Sequence, residues 1–167
     1  MMQFNFLAVI VAALVSMPVG FIWYNPKVFG NAWMREIGVT DPEKMKEGVS
    51  MLKIFSITLL FSFILAMGMM TISVHQTGLN SLLQGQTITK TSTVQLLLDG
   101  KPIDWLNSFR TFKHGAFHGF LGSIFYALPF IGTQAIYEKR SFKYIFIHVG
   151  YWAVTMILMG GILSVWL

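Results

Sequence analysis

Four stretches of this sequence, 4–23, 54–74, 115–136 and 144–167, each run for about twenty residues or more without an Asp, Glu, Lys or Arg. At about 1.5 Å of rise per residue, a helix of that length crosses the roughly 30 Å hydrocarbon layer of a bilayer. Backbone N–H and C=O groups in lipid must be satisfied within the segment, so each run is expected to be a helix. The rest of the composition agrees, with 54% hydrophobic against 11% charged residues. The expected fold class is therefore all-α: a polytopic membrane protein with four transmembrane helices, the lipid bilayer being its first partner. The spans are placed at about 4–24, 53–75, 114–136 and 143–166, with a long outer loop at 76–111, in a single domain over 1–167.

The first run has no basic residue before it and no small-residue cleavage pattern before Pro18, so it reads as a retained span rather than a signal peptide. The absence of cysteine excludes disulfides, thiolate metal ligands and cysteine nucleophiles. The net charge of +5 is an orientation signal rather than a nucleic-acid footprint, because it is unevenly spread. Lys27, Arg35, Lys44, Lys46, Lys53, Lys139, Arg140 and Lys143 fall in the first and third connections; only Lys90, Lys101, Arg110 and Lys113 fall in the second. The positive-inside rule then puts the first and third connections in the cytoplasm and both termini outside.

Within the spans, small residues recur at four-residue spacing. Ala8, Ala12, Ser16 and Gly20 mark one stripe on the first; Gly115, Gly119, Ser123 and Ala127 mark another on the third. Such stripes let helix backbones approach closely, within a bundle or across a homodimer or larger membrane complex. Pro18 and Pro129 are expected to kink their helices. The second and fourth spans also echo each other, each following a lysine and carrying glycine deep inside. Two αα-hairpins in a weak parallel repeat are the expected arrangement.

After the first span, Phe29, Trp33 and Ile37 share a face, which predicts a short interfacial helix. Here Trp23-Tyr24, Pro26, Phe29-Gly30 and Trp33 spell W-Y-x-P-x-x-F-G-x-x-W. That signature resembles a domain-of-unknown-function family of small four-helix bacterial membrane proteins. Tyr137-Glu138 with Arg140, then Gly150-Tyr151 and Gly160, extend the resemblance over nearly the whole chain; the long 76–111 segment departs from it. The resemblance implies a fold and a bacterial cytoplasmic (inner) membrane location, and no activity. Thr40-Asp41-Pro42-Glu43 reads as a helix start that precedes the second span. In the outer loop, 94–98 before Asp99-Gly100 gives a hairpin-like signal, and Asp104-Trp105-Leu106 an amphipathic run-in.

Chemistry is sparse. His114 and His118 stand one turn apart at the start of the third span, and His75 ends the second at the same membrane level. Imidazoles so spaced can ligate one transition metal ion, with Asp99 or Asp104 able to add oxygen. Interfacial histidines that only hydrogen-bond backbone or headgroups would look the same. His148, with Tyr151 on its helix face, and the rim pair Glu138 and Arg140 form a second polar candidate. Glu138 is expected to tie the third connection to the first. No Ser/His/Asp set or carboxylate pair supports an enzyme. The leading reading is a non-catalytic membrane module or partner subunit, and the alternative a small-solute transporter or a membrane metal-binding protein.

Overall fold

The computed structural model describes residues 5–39, 50–78 and 108–166, together with Asp41 and Gly48. The described residues are helical, with no strand among them, and four helices are long and apolar enough to cross a membrane. These are Phe6–Trp23, Met51–Ser73, Phe112–Tyr137 and Phe142–Val165, within two or three residues of the sequence expectation. The helix start at 40–43 (Asp41 apart), the hairpin-like signal at 94–100 and the run-in at 104–106 lie outside the described residues.

Both prolines interrupt regular α-helix, each by a different route. Pro18 has no N–H to give the carbonyl of Leu14, and the first span breaks there into Phe6–Leu14 and Ser16–Trp23. Pro129 leaves the carbonyl of Phe125 without its usual donor. The helix answers with a π turn over Ser123–Ala127, in which the N–H of Leu128 reaches back to Ser123 O.

The fourth span is the hub. The buried apolar core joins Ala8, Val9, Ala12 and Ala13 of the first span, Ala66, Met69, Met70 and Val74 of the second, and Met156, Met159 and Leu163 of the fourth. Both small stripes are packing faces inside the chain. On the first span Ala8, Ala12 and Ser16 are buried, and Ser62 Oγ of the second donates to Ser16 Oγ at 2.8 Å. On the third, a Cβ added at Gly115 would lie 2.0 Å from Gly160 O, and one at Gly119 would lie 2.1 Å from Met156 O. The third span therefore docks on the fourth almost backbone to backbone, with dispersion contacts taking the place that water exclusion has in soluble cores.

The tryptophan-rich signature is architecture. Trp23 Nε1 donates to Ile147 O at 2.9 Å, and the indole lies so close over Gly150 that a Cβ there would be 2.6 Å from Trp23 Cζ2. Phe29 stacks on Trp23 with centroids 4.5 Å apart, and Trp33 meets Tyr24 edge-on at 5.1 Å. The aromatic face of the short helix Gly30–Glu36 thus folds onto the end of the bundle. Gly30 is required there, because a Cβ would sit 2.3 Å from Tyr24 O. The next turn closes on Gly38 at φ +77°, and Val39 N–H donates to Met34 O at 2.9 Å.

One expectation is corrected. Among the described residues Glu138 does not tie the third connection to the first; its carboxylate stays local, accepting from Gln134 Nε2 at 2.9 Å and pairing with Arg140 Nε at 3.5 Å. Glu36 makes the tie instead. It accepts from Ser141 Oγ, pairs with Lys143 Nζ at 3.9 Å, and its carbonyl accepts from Arg140 Nη1 at 3.3 Å. The reason is local competition: Gln134, one turn back, takes Glu138 Oε1 and Arg140, two residues on, takes Oε2, so both carboxylate oxygens are engaged on their own connection.

Candidate metal centre

His75 follows the last turn of the second span, while His114 and His118 lie in the first two turns of the third. Thr111 starts that helix, its side chain accepting from His114 N–H at 3.2 Å, and so sets the register that turns His114 and His118 to one side. The second span is brought alongside by the shared core below. Above it, Gln76 Nε2 donates to Ser108 O at 2.8 Å, which fastens the ends of the long connection together.

The three imidazoles converge on one point. His114 Nε2 is 2.8 Å from His75 Nε2 and 3.1 Å from His118 Nε2, and all three ligating atoms lie within 4.8 Å of one another. Among the described residues these three histidines form the only such ligand group; Asp99 and Asp104 lie outside those residues. His75 is exposed, and the other two are partly buried.

Proton bookkeeping makes this arrangement unusual. A neutral imidazole nitrogen either donates one hydrogen or accepts one. His114 Nε2 faces two partners of its own kind and can bond only one of them well. Three imidazole nitrogens this close together are within reach of one zinc-like ion, since bonds of 2.0–2.1 Å in tetrahedral geometry put neighbouring nitrogens about 3.3 Å apart. The observed spacings, 2.8 and 3.1 Å with all three atoms within 4.8 Å, bracket that value.

The surroundings are aromatic and cationic. The Phe109 ring lies 5.2 Å from that of His114 and 6.4 Å from that of His75. Its backbone sits at φ +63°, a costly conformation for a bulky side chain, held by Thr111 N–H and Ser164 Oγ on its carbonyl. Arg110 Nη2 donates to Trp166 O at 2.8 Å. Partial burial lowers the pKa of its guanidinium, which nonetheless stays charged at any physiological pH.

The second candidate group splits. Tyr24 Oη lies 3.3 Å from His148 Nδ1, and Tyr144 stacks beside the imidazole at 4.3 Å. A phenol is protonated at neutral pH and donates, which leaves the His148 proton on Nε2, buried without a hydrogen-bond partner among the described residues. Tyr151 is turned inward, its hydroxyl donating to Ser16 O at 3.1 Å. Glu138 and Arg140 stay at the rim, where Arg140 lies over the Tyr144 ring at 5.5 Å. His148 comes twelve residues before Gly160, about 18 Å along the helix from the level of Gly115, so it belongs to the opposite end of the bundle.

Sequence reasoning placed Tyr24 at the same rim as Glu138 and Arg140 without pairing it with His148, and it missed Tyr144 and Ser62 as partners and Glu36 as the clasp. Only the aromatic spacing around Tyr24 carried a signal.

A family of proteins of unknown function, DUF1761, matches residues 7–164. The chain belongs to the DUF1761 family. No curated protein and no solved structure matches it. The match spans all four membrane helices of this DUF1761 protein, and with them His75, His114 and His118.

Proposed function

We propose that this DUF1761 protein is an integral membrane metal-binding protein, with His75, His114 and His118 as the ligands of one first-row transition metal ion. The observation that carries this reading is the convergence of three Nε2 atoms, two from one helix and one from its neighbour. A plain packing module does not call for it. Lone pairs facing each other repel, and a proton can relieve only one contact at a time. A bound ion would satisfy all three and pin the second span to the third. Three neutral nitrogen donors suit zinc, copper or nickel better than magnesium or calcium, which take oxygen ligands.

The test is metal analysis of detergent-purified protein after loading with zinc or copper and removal of excess ion. The expected result is about one ion per chain, as a single three-ligand site would hold. The double variant His114→Ala with His118→Ala should hold none. Retention of the ion by that variant would place it elsewhere and end the reading.

The same proposal carries a topology. The lysine and arginine asymmetry supports a bacterial inner-membrane orientation with both termini outside and the metal centre on the outer face. A reporter fused to the carboxyl terminus that is active only outside the cytoplasm should therefore be on. Activity of a cytoplasm-only reporter at that position would reverse the assignment.

A further inference from the structure

Methionine fills the interior of this bundle, where leucine could serve packing as well. Among the described residues, the side chains longer than valine in the buried core are Met69, Met70, Met156, Met159 and Leu163. Leucine and methionine exchange at small energetic cost, so what methionine adds is a flexible, polarisable thioether. Thioether sulfur is a soft donor, and soft donors select copper(I).

Two of these thioethers border one point beneath the histidine centre. A Cβ on Gly122 would lie 2.7 Å from the terminal methyl of Met156 and 3.7 Å from Met69 Sδ. The third span has no side chain there and leaves the point to groups from the second and fourth. Gly122 follows His118 by one helical turn, about 6 Å deeper in the bundle. Ser73, two residues before His75 and four after Met69, stands between the two levels. Its hydroxyl is buried without a hydrogen-bond partner among the described residues, and its Oγ lies 3.1 Å from where a Cβ on Gly160 would sit. That puts a costly unpaired oxygen on the way from the imidazoles to the thioethers.

Charge decides which ion suits the inner point. The cost of taking an ion out of water rises steeply with its charge, and thioethers bring no charge of their own to offset it. A soft monovalent ion fits; zinc and copper(II) stay with the imidazoles at the surface. We infer that Met69 and Met156 form a second metal site, selective for copper(I), one turn below the histidine centre. The thioethers alone make this site, so it stands or falls separately from the histidine reading.

The test counts copper(I) on the full chain in a neutral sugar detergent. The ion is supplied with ascorbate in the absence of oxygen and measured by competition with a chromogenic copper(I) chelator. The expected result is about two copper(I) ions per chain, against about one for zinc or for copper(II) loaded in air. His114→Ala with His118→Ala should lose zinc and keep about one copper(I), with sulfur neighbours in its copper X-ray absorption spectrum. The chain has no cysteine, so any sulfur ligand is a methionine. Met69→Leu with Met156→Leu should keep zinc, and about one copper(I) bound through nitrogen alone. If the double leucine variant fails to fold, which loss of zinc would reveal, each single leucine variant should still weaken the inner ion at least about tenfold. No copper(I) in the histidine variant, or unchanged copper(I) binding in the leucine variants, would overturn the inference and leave the histidine reading intact. Copper(I) held by the methionines in a chain that binds no zinc would uphold the inference and end the histidine reading instead.

Discussion

Zinc is expected to raise the thermal midpoint of the purified protein, and His114→Ala to abolish both the bound ion and the rise. Binding to the folded state alone stabilises by RT ln(1 + [L]/Kd), about 2.7 kcal/mol when the ion is at a hundred times its Kd. His114 should matter most, because its Nε2 is the atom in contact with both of the others, at 2.8 and 3.1 Å. Its loss separates the remaining ligands onto two helices. Changes to groups that merely orient a ligand cost 10–100-fold in affinity, so removing this ligand should cost more than about a hundredfold. His75→Ala makes an informative contrast. It leaves the pair at i, i+4 on one helix, which can still bind weakly but no longer ties the second span to the third. Residual zinc with no thermal rise is the expected signature. A full rise in His75→Ala would show that the ion does not bridge the spans.

The parts of this structure that the sequence made legible are those governed by local pattern. Charge-free runs of span length admit one structure in lipid, so the four helices could be placed to within a turn. The i, i+4 spacing of His114 and His118 was likewise a local fact. Whether His75 joined them was not, because it depends on which face of the second span meets the third, and a long connection imposes no geometry. That pairing runs through the fourth span, which packs on the second through Met69, Met70, Met156 and Met159 and on the third at Gly115 and Gly119, and the flexible methionine side chains carry little register information in sequence. The glycines were read as a stripe without a partner; the partner, Gly160, was noticed only as an echo between spans. The third span, with its histidines and proline, draws the eye in the sequence, yet the fourth is the one around which the others pack.

That partnership between Gly119 and the fourth span supports the second large effect, a graded series of single methyl groups. At Gly119 an added Cβ would meet Met156 O at 2.1 Å, Met156 C at 2.5 Å and Ile157 Cα at 2.7 Å. All three are backbone atoms of a helix, which cannot move aside as a side chain does. Gly119→Ala must push the two helices apart, and overpacking of this kind typically costs about 1–3 kcal/mol, occasionally more. At Gly122 the nearest atom is the terminal methyl of Met156, at 2.7 Å, and a change of thioether rotamer can make way. Gly122→Ala should be mild. At Gly132 nothing lies within 4 Å, and alanine is the better helix former by up to about 1 kcal/mol, so Gly132→Ala should be neutral or slightly stabilising. Thermal midpoints measured in one detergent should therefore fall in the order Gly132→Ala, Gly122→Ala, Gly119→Ala, the last well below wild type. Since His118 precedes Gly119 on the same helix, displacement of the third span would also move two ligands away from His75. Gly119→Ala should lose metal affinity with all three histidines intact, whereas Gly132→Ala should keep it. Equal midpoints across the series would mean that the third and fourth spans do not meet at these glycines, and the register that brings the histidines together would lose its support.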